Sequence, residues 1–157
     1  MNAYQRFVRW WGRYPSFAWV GRTIITRLDT LAYGKRTSIT TMGTDFPLCY
    51  LITTGRKTGE PRTTPLLFVD HDTGVVVTGT NFGAGNHPAW ALNLAAEPRA
   101  ELLIDGTERP VRARLLTEFE RLAVWPKLTG VWPGFDDYVA RSGRTPMTFV
   151  LEPPTGL

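Results

Sequence analysis

The sequence predicts an α+β fold, in which a curled antiparallel sheet forms a small barrel with helices before it and between its strands. Short β-branched runs separated by glycine-containing turns recur after residue 37. The first 36 residues have helical periodicity instead. At 157 residues the chain fits one globular unit. We therefore expect a basic, aromatic-rich helical segment over 1–36 and a barrel domain over 37–157.

The N-terminal segment is predicted to form two helices, Tyr4–Gly12 and Ser16–Tyr33, separated at Pro15 and stopped at Gly34. It holds seven basic residues and one acidic residue, whereas the rest of the chain has a net charge of −2. The second helix has an apolar face formed by Val20, Ile24, Leu28 and Leu31. This pattern indicates either packing on the domain's own core or contact with a membrane surface. Nucleic-acid binding is not expected, because no binding motif accompanies the dispersed arginines.

Six strands are predicted from the apolar and β-branched runs, at Leu48–Thr54, Thr63–Val69, Val75–Thr80, Arg99–Ile104, Arg109–Leu116 and Thr148–Leu151. Asp105-Gly106 is a hairpin signal between the fourth and fifth strands. Pro88 suits the start of an inserted helix that runs to about Glu97. Thr117 and Glu120 have the spacing of a capping box, which predicts another helix.

Most catalytic motifs are absent from the sequence. The only cysteine, Cys49, lies in an apolar strand run and is predicted to be a buried thiol. With two histidines and one cysteine we expect no metal site, and neither His71 nor His87 is predicted to be catalytic. There is no nucleophile elbow, P-loop or dinucleotide fingerprint. If the protein is an enzyme, a bound cofactor must therefore supply the reactivity.

The sequence contains no apolar run long enough to cross a bilayer and no evident signal peptide. We therefore expect a cytoplasmic protein, either free or peripheral at the inner face of the membrane.

The turn Gly55–Arg62, between the first two strands, is the most informative segment. Its cations Arg56, Lys57 and Arg62 repel one another unless an anion joins them, and its glycines let backbone amides approach such an anion. This predicts a phosphate or carboxylate site, the alternative being a solvated basic loop. The helix beginning near Pro88 supports an anion site, since helix N-terminal amides favour anions.

Three aromatic residues, Trp132, Phe135 and Tyr138, recur at helical spacing. This pattern is consistent with core packing or with the wall of a pocket, and the spacing does not separate the two.

These segments together resemble the deazaflavin-dependent nitroreductase family of actinobacteria, whose members use coenzyme F420 on a split β-barrel. The resemblance is carried by Leu51–Leu66, His87–Leu94, Arg121–Tyr138 and Phe149–Pro153. It implies an oxidoreductase, active as a monomer or homodimer, that transfers hydride from reduced F420 to a quinone, an enone or a nitro compound. The alternatives are a split-barrel oxidoreductase that binds FMN and a non-catalytic F420 carrier.

The resemblance also implies site residues. Those matching the family's cofactor contacts are Arg56, Lys57, Thr58, Arg62, Thr63, Thr64, Pro65, Leu66, Leu67, Thr78, Gly79, Thr80, Asn81, Ala89, Trp90, Asn93 and Phe135. Those matching the substrate pocket are Trp132, Phe135 and Tyr138. Tyr138 could protonate the acceptor, and Thr80 could hydrogen-bond either ligand. Because Trp132 and Phe135 replace tyrosines of the best-known nitroreductases, activity on bicyclic nitroimidazoles is not expected.

Overall fold

A computed structural model describes residues 3–20 and 45–155 of the chain. Its helices are α1 (Ala3–Trp11), α2 (Pro15–Val20), α3 (Ala89–Ala96), α4 (Glu118–Val131) and α5 (Gly134–Ser142). Its strands are β1 (Leu48–Thr54), β2 (Pro61–Leu67), β3 (Val69–His71), β4 (Gly74–Gly79), β5 (Arg99–Ile104), β6 (Thr107–Leu115) and β7 (Met147–Glu152). Residues 21–44 lie outside the described part, and with them most of the predicted second helix, its apolar face and the stop at Gly34.

The strands form one sheet in the order β2-β1-β5-β6-β7-β4-β3, and each neighbouring pair is antiparallel. The sheet curls into a half-barrel with helices against it, which confirms the predicted α+β split-barrel class. The hairpin between β5 and β6 also forms as predicted, with Asp105 and Gly106 at φ +49° and +78°. These values suit the two-residue turn that the sequence indicated.

The predicted strand Thr63–Val69 is wrong at both ends. β2 begins at Pro61 rather than Thr63, because Pro61 and Arg62 already pair with Thr54 and Thr53 of β1. The connection between the strands is therefore shorter than the sequence suggested. The predicted strand also ends earlier, at Leu67, and Val69–His71 pairs with β4 as a separate seventh strand.

Two apolar cores share the central strands. In β4, Val75 and Val77 lie in a core that also contains Trp90 of α3, whereas Val76 faces a second core beneath α4 and α5. β7 alternates in the same way, since Val150 belongs to the second core and its neighbours to the first. Strands buried on both faces place α3 on one side of the sheet and the α4–α5 pair on the other.

The capping box is confirmed at the start of α4. The Thr117 hydroxyl accepts from the Glu120 amide at 3.2 Å, and the Glu120 carboxylate accepts from the Thr117 amide at 2.8 Å. The cap fixes where α4 begins. Four turns later the helix ends at Trp132, which positions the aromatic residues that follow.

Candidate active site

A cavity of about 510 Å³ opens between the two cores. Its walls come from β2, the end of β4, the start of α3, the α4–α5 junction and the N-terminal segment. This volume is in the range of small-molecule sites. The predicted site residues that line it are Thr64, Pro65, Leu66, Leu67, Thr78, Thr80, Asn81, Ala89, Trp90, Trp132, Phe135 and Tyr138. The structure thus brings together side chains from segments far apart in the sequence.

The other predicted residues do not line the cavity. They are Arg56, Lys57, Thr58, Arg62, Thr63, Gly79 and Asn93. Most belong to the basic turn and its approach to β2. Arg62 lies two positions before Thr64, which is about 7 Å along the strand. A ligand that fills the cavity could therefore extend a charged end toward the turn.

The basic turn is held by its own backbone. The Gly55 amide donates to the Glu60 carbonyl and the Gly59 amide to the Gly55 carbonyl, each at 2.7 Å. Gly59 has φ +75°, which explains glycine there. The Thr58 hydroxyl accepts from the Arg62 guanidinium at 3.3 Å, and the Glu60 carboxylate lies 3.4 Å from it. All three cations remain exposed, so the turn presents positive charge to solvent on a defined backbone.

Asn93 links the turn to α3 from a buried position. It is 3% exposed, and its Oδ1 accepts from the Arg56 amide at 3.2 Å and the Arg56 guanidinium at 3.4 Å. Its Nδ2 donates to the Thr53 hydroxyl at 3.1 Å. The buried amide of Asn93 therefore has hydrogen-bond partners at both its oxygen and its nitrogen, and its contacts orient Arg56.

The aromatic wall, formed by Trp132, Phe135 and Tyr138, fits both interpretations that the sequence left open, core packing and the wall of a pocket. Trp132, Phe135 and Tyr138 are 5%, 7% and 2% exposed, so they are core residues that also line the cavity. The Trp132 indole lies between Gly12 and Gly134. A Cβ at Gly134 would lie 2.6 Å from its Nε1, and a Cβ at Gly12 would overlap its ring.

The Tyr138 hydroxyl contacts the N-terminal segment. It donates to the Gly12 carbonyl at 2.5 Å and accepts from Trp132 Nε1 at 3.4 Å. Burial raises the pKa of Tyr138 to about 12, although its neighbouring donor opposes that shift. The phenol is therefore protonated at neutral pH and already has an acceptor for its proton.

Further contacts dock the N-terminal segment over the cavity. Arg141 donates to the Arg13 carbonyl at 2.5 Å, and Arg13 lies 3.7 Å from the Asp137 carboxylate. Val8 and Phe17 line the cavity, and the Phe17 ring lies 5.5 Å from that of Trp132. Within its described residues, the N-terminal segment thus packs on the domain and completes the cavity wall.

The threonines at the end of β4 differ in their hydrogen bonding. The hydroxyl of Thr78 lies 2.9 Å from that of Thr148, so the two satisfy each other. The hydroxyl of Thr80 makes no hydrogen bond to another described residue and lies at the cavity wall. Thr80 is accordingly the threonine of this strand end that can bond a ligand without losing a partner.

Sequence reasoning did not identify Arg144. Its guanidinium donates to the carbonyls of Gly79, Thr80 and Ala84 at 3.0–3.1 Å and contacts His87 Nδ1 at 3.1 Å. All four partners lie 57 to 65 positions away in the chain, and no local sequence pattern predicts such contacts. His87 itself lines the cavity.

Other chemistries have little support among the described residues. Cys49 is fully buried, which confirms the predicted buried thiol, and burial raises its pKa to about 12. Residues 3–20 and 45–155 contain no cluster of side chains suited to a metal ion. In the same ranges no helix combines the length and the apolar character needed to cross a membrane.

Comparison with known proteins agrees with this geometry. The profile of a family described as F420H(2)-dependent quinone reductase matches residues 25–153. Rv3178 of Mycobacterium tuberculosis, named as a candidate F420H(2)-dependent quinone reductase, is 30% identical over 98 residues, which cover 62% of this chain and 82% of Rv3178.

Comparison with solved structures also finds an F420-dependent reductase. An F420-H2 dependent reductase, FDR-A, superposes with a TM-score of 0.62 at 27% identity, over 68% of this chain and 94% of that one. A protein described as a domain-swapped dimer gives a TM-score of 0.64 at 25% identity, over 87% of this chain and 99% of that one. The resemblance drawn from the sequence is confirmed at the level of F420-dependent split-barrel reductases.

Proposed function

This chain belongs to the F420H(2)-dependent quinone reductase family, and we propose that its cavity holds a quinone as the hydride acceptor of an F420-dependent reduction. The protein is an enzyme and its cofactor is coenzyme F420. Enones and nitro compounds are the other electron-poor acceptors that the family resemblance implies. The apolar wall formed by Trp132 and Phe135 favours a flat, uncharged acceptor such as a quinone.

One observation carries the proposal: an apolar cavity of about 510 Å³ lies next to an exposed turn with three cations. F420 joins a flat tricyclic ring to a phosphate and an acidic tail, so it needs both features. Guanidinium and ammonium groups match those oxyanions. The residues present therefore fit the cofactor, with Arg56, Lys57 and Arg62 toward its tail and Thr64–Leu67 along its ring.

The bound cofactor supplies the hydride in its reduced form. The chain contributes orientation and the exclusion of water. We assign Thr64–Leu67 and the start of α3 to contact with a planar ring, and Trp132, Phe135 and Tyr138 make their part of the cavity wall largely apolar. We assign the Thr80 hydroxyl to a hydrogen bond with a bound ligand. Tyr138 holds the Gly12 carbonyl, so we assign it to anchoring, and its role as an acid stays a prediction.

A fluorescence titration of the purified protein with F420 and with FMN tests the assignment, followed by turnover of a naphthoquinone with reduced F420. We expect F420 to bind more tightly than FMN, and more tightly still as its tail lengthens. Preference for FMN would identify an FMN-dependent split-barrel enzyme. Tight F420 binding with no turnover of quinone, enone or nitro acceptors would identify a carrier.

We also propose that α1 contacts a membrane surface. Tyr4, Phe7 and Trp10 are 54%, 54% and 55% exposed although α1 is docked by its other face, and Arg6 of the same helix is also exposed. Exposed aromatics among cations suit an anionic bilayer interface. Co-flotation with anionic vesicles should fall when Phe7 and Trp10 are changed to Ser. The same change at Leu122, an exposed apolar residue of α4, should leave flotation unaltered.

The protein described as a domain-swapped dimer supports a homodimer for this chain over a monomer. Light scattering during size-exclusion chromatography decides between them, and a mass near 17.6 kDa at all concentrations would exclude the dimer.

A further inference from the structure

His87 and Arg144 form a pair at the cavity rim that the proposed function does not use. His87 precedes α3 and lines the cavity, while Arg144 follows α5. The Arg144 Nη1 lies 3.1 Å from the imidazole Nδ1. No other ionisable side chain of the described residues makes a hydrogen bond to this ring.

The contact determines the protonation of the imidazole. A guanidinium only donates hydrogen bonds, so Nδ1 must accept and carries no proton. The ring is then neutral and its proton is on Nε2. Burial and, secondarily, the Arg144 charge lower the pKa of His87 below its ordinary value of 6.5, in agreement with a neutral ring at pH 7.

Arg144 also fixes the backbone around the ring. It donates to the Gly79 and Thr80 carbonyls, where β4 ends, and to Ala84 beyond the following turn. That turn contains Asn81 and Phe82 at φ +48° and +53°. Backbone of this kind persists only where surrounding contacts hold it, and the guanidinium supplies three of them.

We propose that His87 is a ligand-binding residue that donates its Nε2–H to a carbonyl oxygen bound in the cavity, and that Arg144 is the positioning residue that fixes its tautomer. No described residue accepts a hydrogen bond from Nε2, so this donor is available. In an otherwise largely apolar cavity, one fixed N–H donor would orient a ligand by its carbonyl group. This inference rests on the proposed function, which supplies two carbonyl sources, the cofactor ring and a quinone.

Nitrogen NMR of the whole protein tests the tautomer first. The chain has only two histidines, and His71 is the last residue of β3, so the His71→Gln variant assigns both rings. In the ligand-free protein we expect His87 Nδ1 to resonate as an unprotonated nitrogen and Nε2 as an N–H. A protonated Nδ1 at pH 7.5 would overturn the inference.

Two ligand arms then identify the carbonyl. Oxidised F420 is added alone, and a naphthoquinone is added afterwards, so that no turnover occurs. We expect the His87 Nε2 resonance to shift when one of these two ligands is added, while the His71 resonances do not change. If F420 binds by fluorescence and Nε2 moves in neither arm, the inference fails and the proposed function stands. If F420 does not bind at all, the proposed function fails instead.

Variants give an independent measurement. Glutamine at position 87 can place an amide donor near the Nε2 position and an oxygen near Arg144, whereas leucine can do neither. We expect His87→Leu to weaken binding of the ligand identified above by roughly three- to tenfold, and His87→Gln by less than about twofold. His71→Gln is the matched control and should leave binding unchanged. Equal binding by the leucine and wild-type proteins would overturn the inference.

Discussion

His87 makes the stability of the fold depend on pH. Its pKa is lowered in the folded protein, so below its ordinary value of 6.5 the unfolded chain binds a proton that the folded chain resists. The free energy of unfolding should therefore fall as pH drops below about 6.5 and should not change on this account above it. Urea unfolding at about pH 5 and about pH 7.5 measures the effect, and His87→Gln should remove that part of it.

The influence of Arg144 on His87 can be tested by measuring the pKa of the imidazole. Replacing Arg144 with Met removes the positive charge beside Nδ1, so the pKa of His87 should rise toward 6.5 in an NMR titration. Arg144→Lys keeps a charge and one donor, and should recover part of the shift. A His87 pKa that is the same in all three proteins would show that burial alone sets it.

Tyr138, whose role as an acid stays a prediction, also links α5 to the N-terminal segment. Tyr138→Phe removes the hydrogen bond to the Gly12 carbonyl, which should cost about 1 kcal/mol of the free energy of unfolding. Turnover should be retained, because the proton already has an acceptor. A loss in kcat of about a hundredfold or more would instead establish the acid role. Tyr14→Phe, at an exposed ring of the same segment, is the control.

At the scale of elements, the basic turn between β1 and β2 is expected to hold the acidic tail of F420 by electrostatic attraction. Lys57→Ala and Arg62→Ala should each weaken F420 binding roughly tenfold at low salt. The loss should shrink at high salt, since exposed charges are screened. Binding of FMN should change less, because it lacks the acidic tail. Lys127→Ala removes an exposed cation of α4 and should have no effect; an equal loss there would show that only net charge matters.

Elements were predictable from sequence where local chemistry decides them. The capping box at Thr117 and the turn at Asp105-Gly106 depend on neighbouring residues, and both form as expected. The start of β2 was missed because proline is rare in strands, and Pro61 and Arg62 pair with β1 only in the folded sheet. β3 was missed for a related reason: its three residues become a strand through pairing with β4.

At the scale of the whole molecule, the cavity lies where the two cores meet. Trp90 belongs to the core around α3, whereas Trp132, Phe135 and Tyr138 belong to the core beneath α4 and α5. The residue types of the cavity wall could be inferred from sequence. The contacts that assemble it could not, because Tyr138 meets Gly12 across 126 positions and Arg144 meets His87 across 57.

Gly12 tests whether the N-terminal segment and the domain behave as one packed unit. A Cβ at this position would overlap the Trp132 ring, which is confined on its other side by Gly134. Because the indole also packs on Phe17 and Phe46, it cannot move without disturbing the cavity wall. Gly12→Ala should therefore cost about 1–3 kcal/mol in urea unfolding.

The control for this experiment is Gly130→Ala. Gly130 lies within α4, and a Cβ added there would project into open space, with nothing within 4 Å of it. Alanine at this position should therefore be neutral or stabilising by up to about 1 kcal/mol. If both alanines shift the unfolding midpoint equally, the overlap with Trp132 has no consequence for stability. A loss confined to Gly12→Ala, with a raised KM for the quinone, would show that docking of α1 shapes the acceptor pocket.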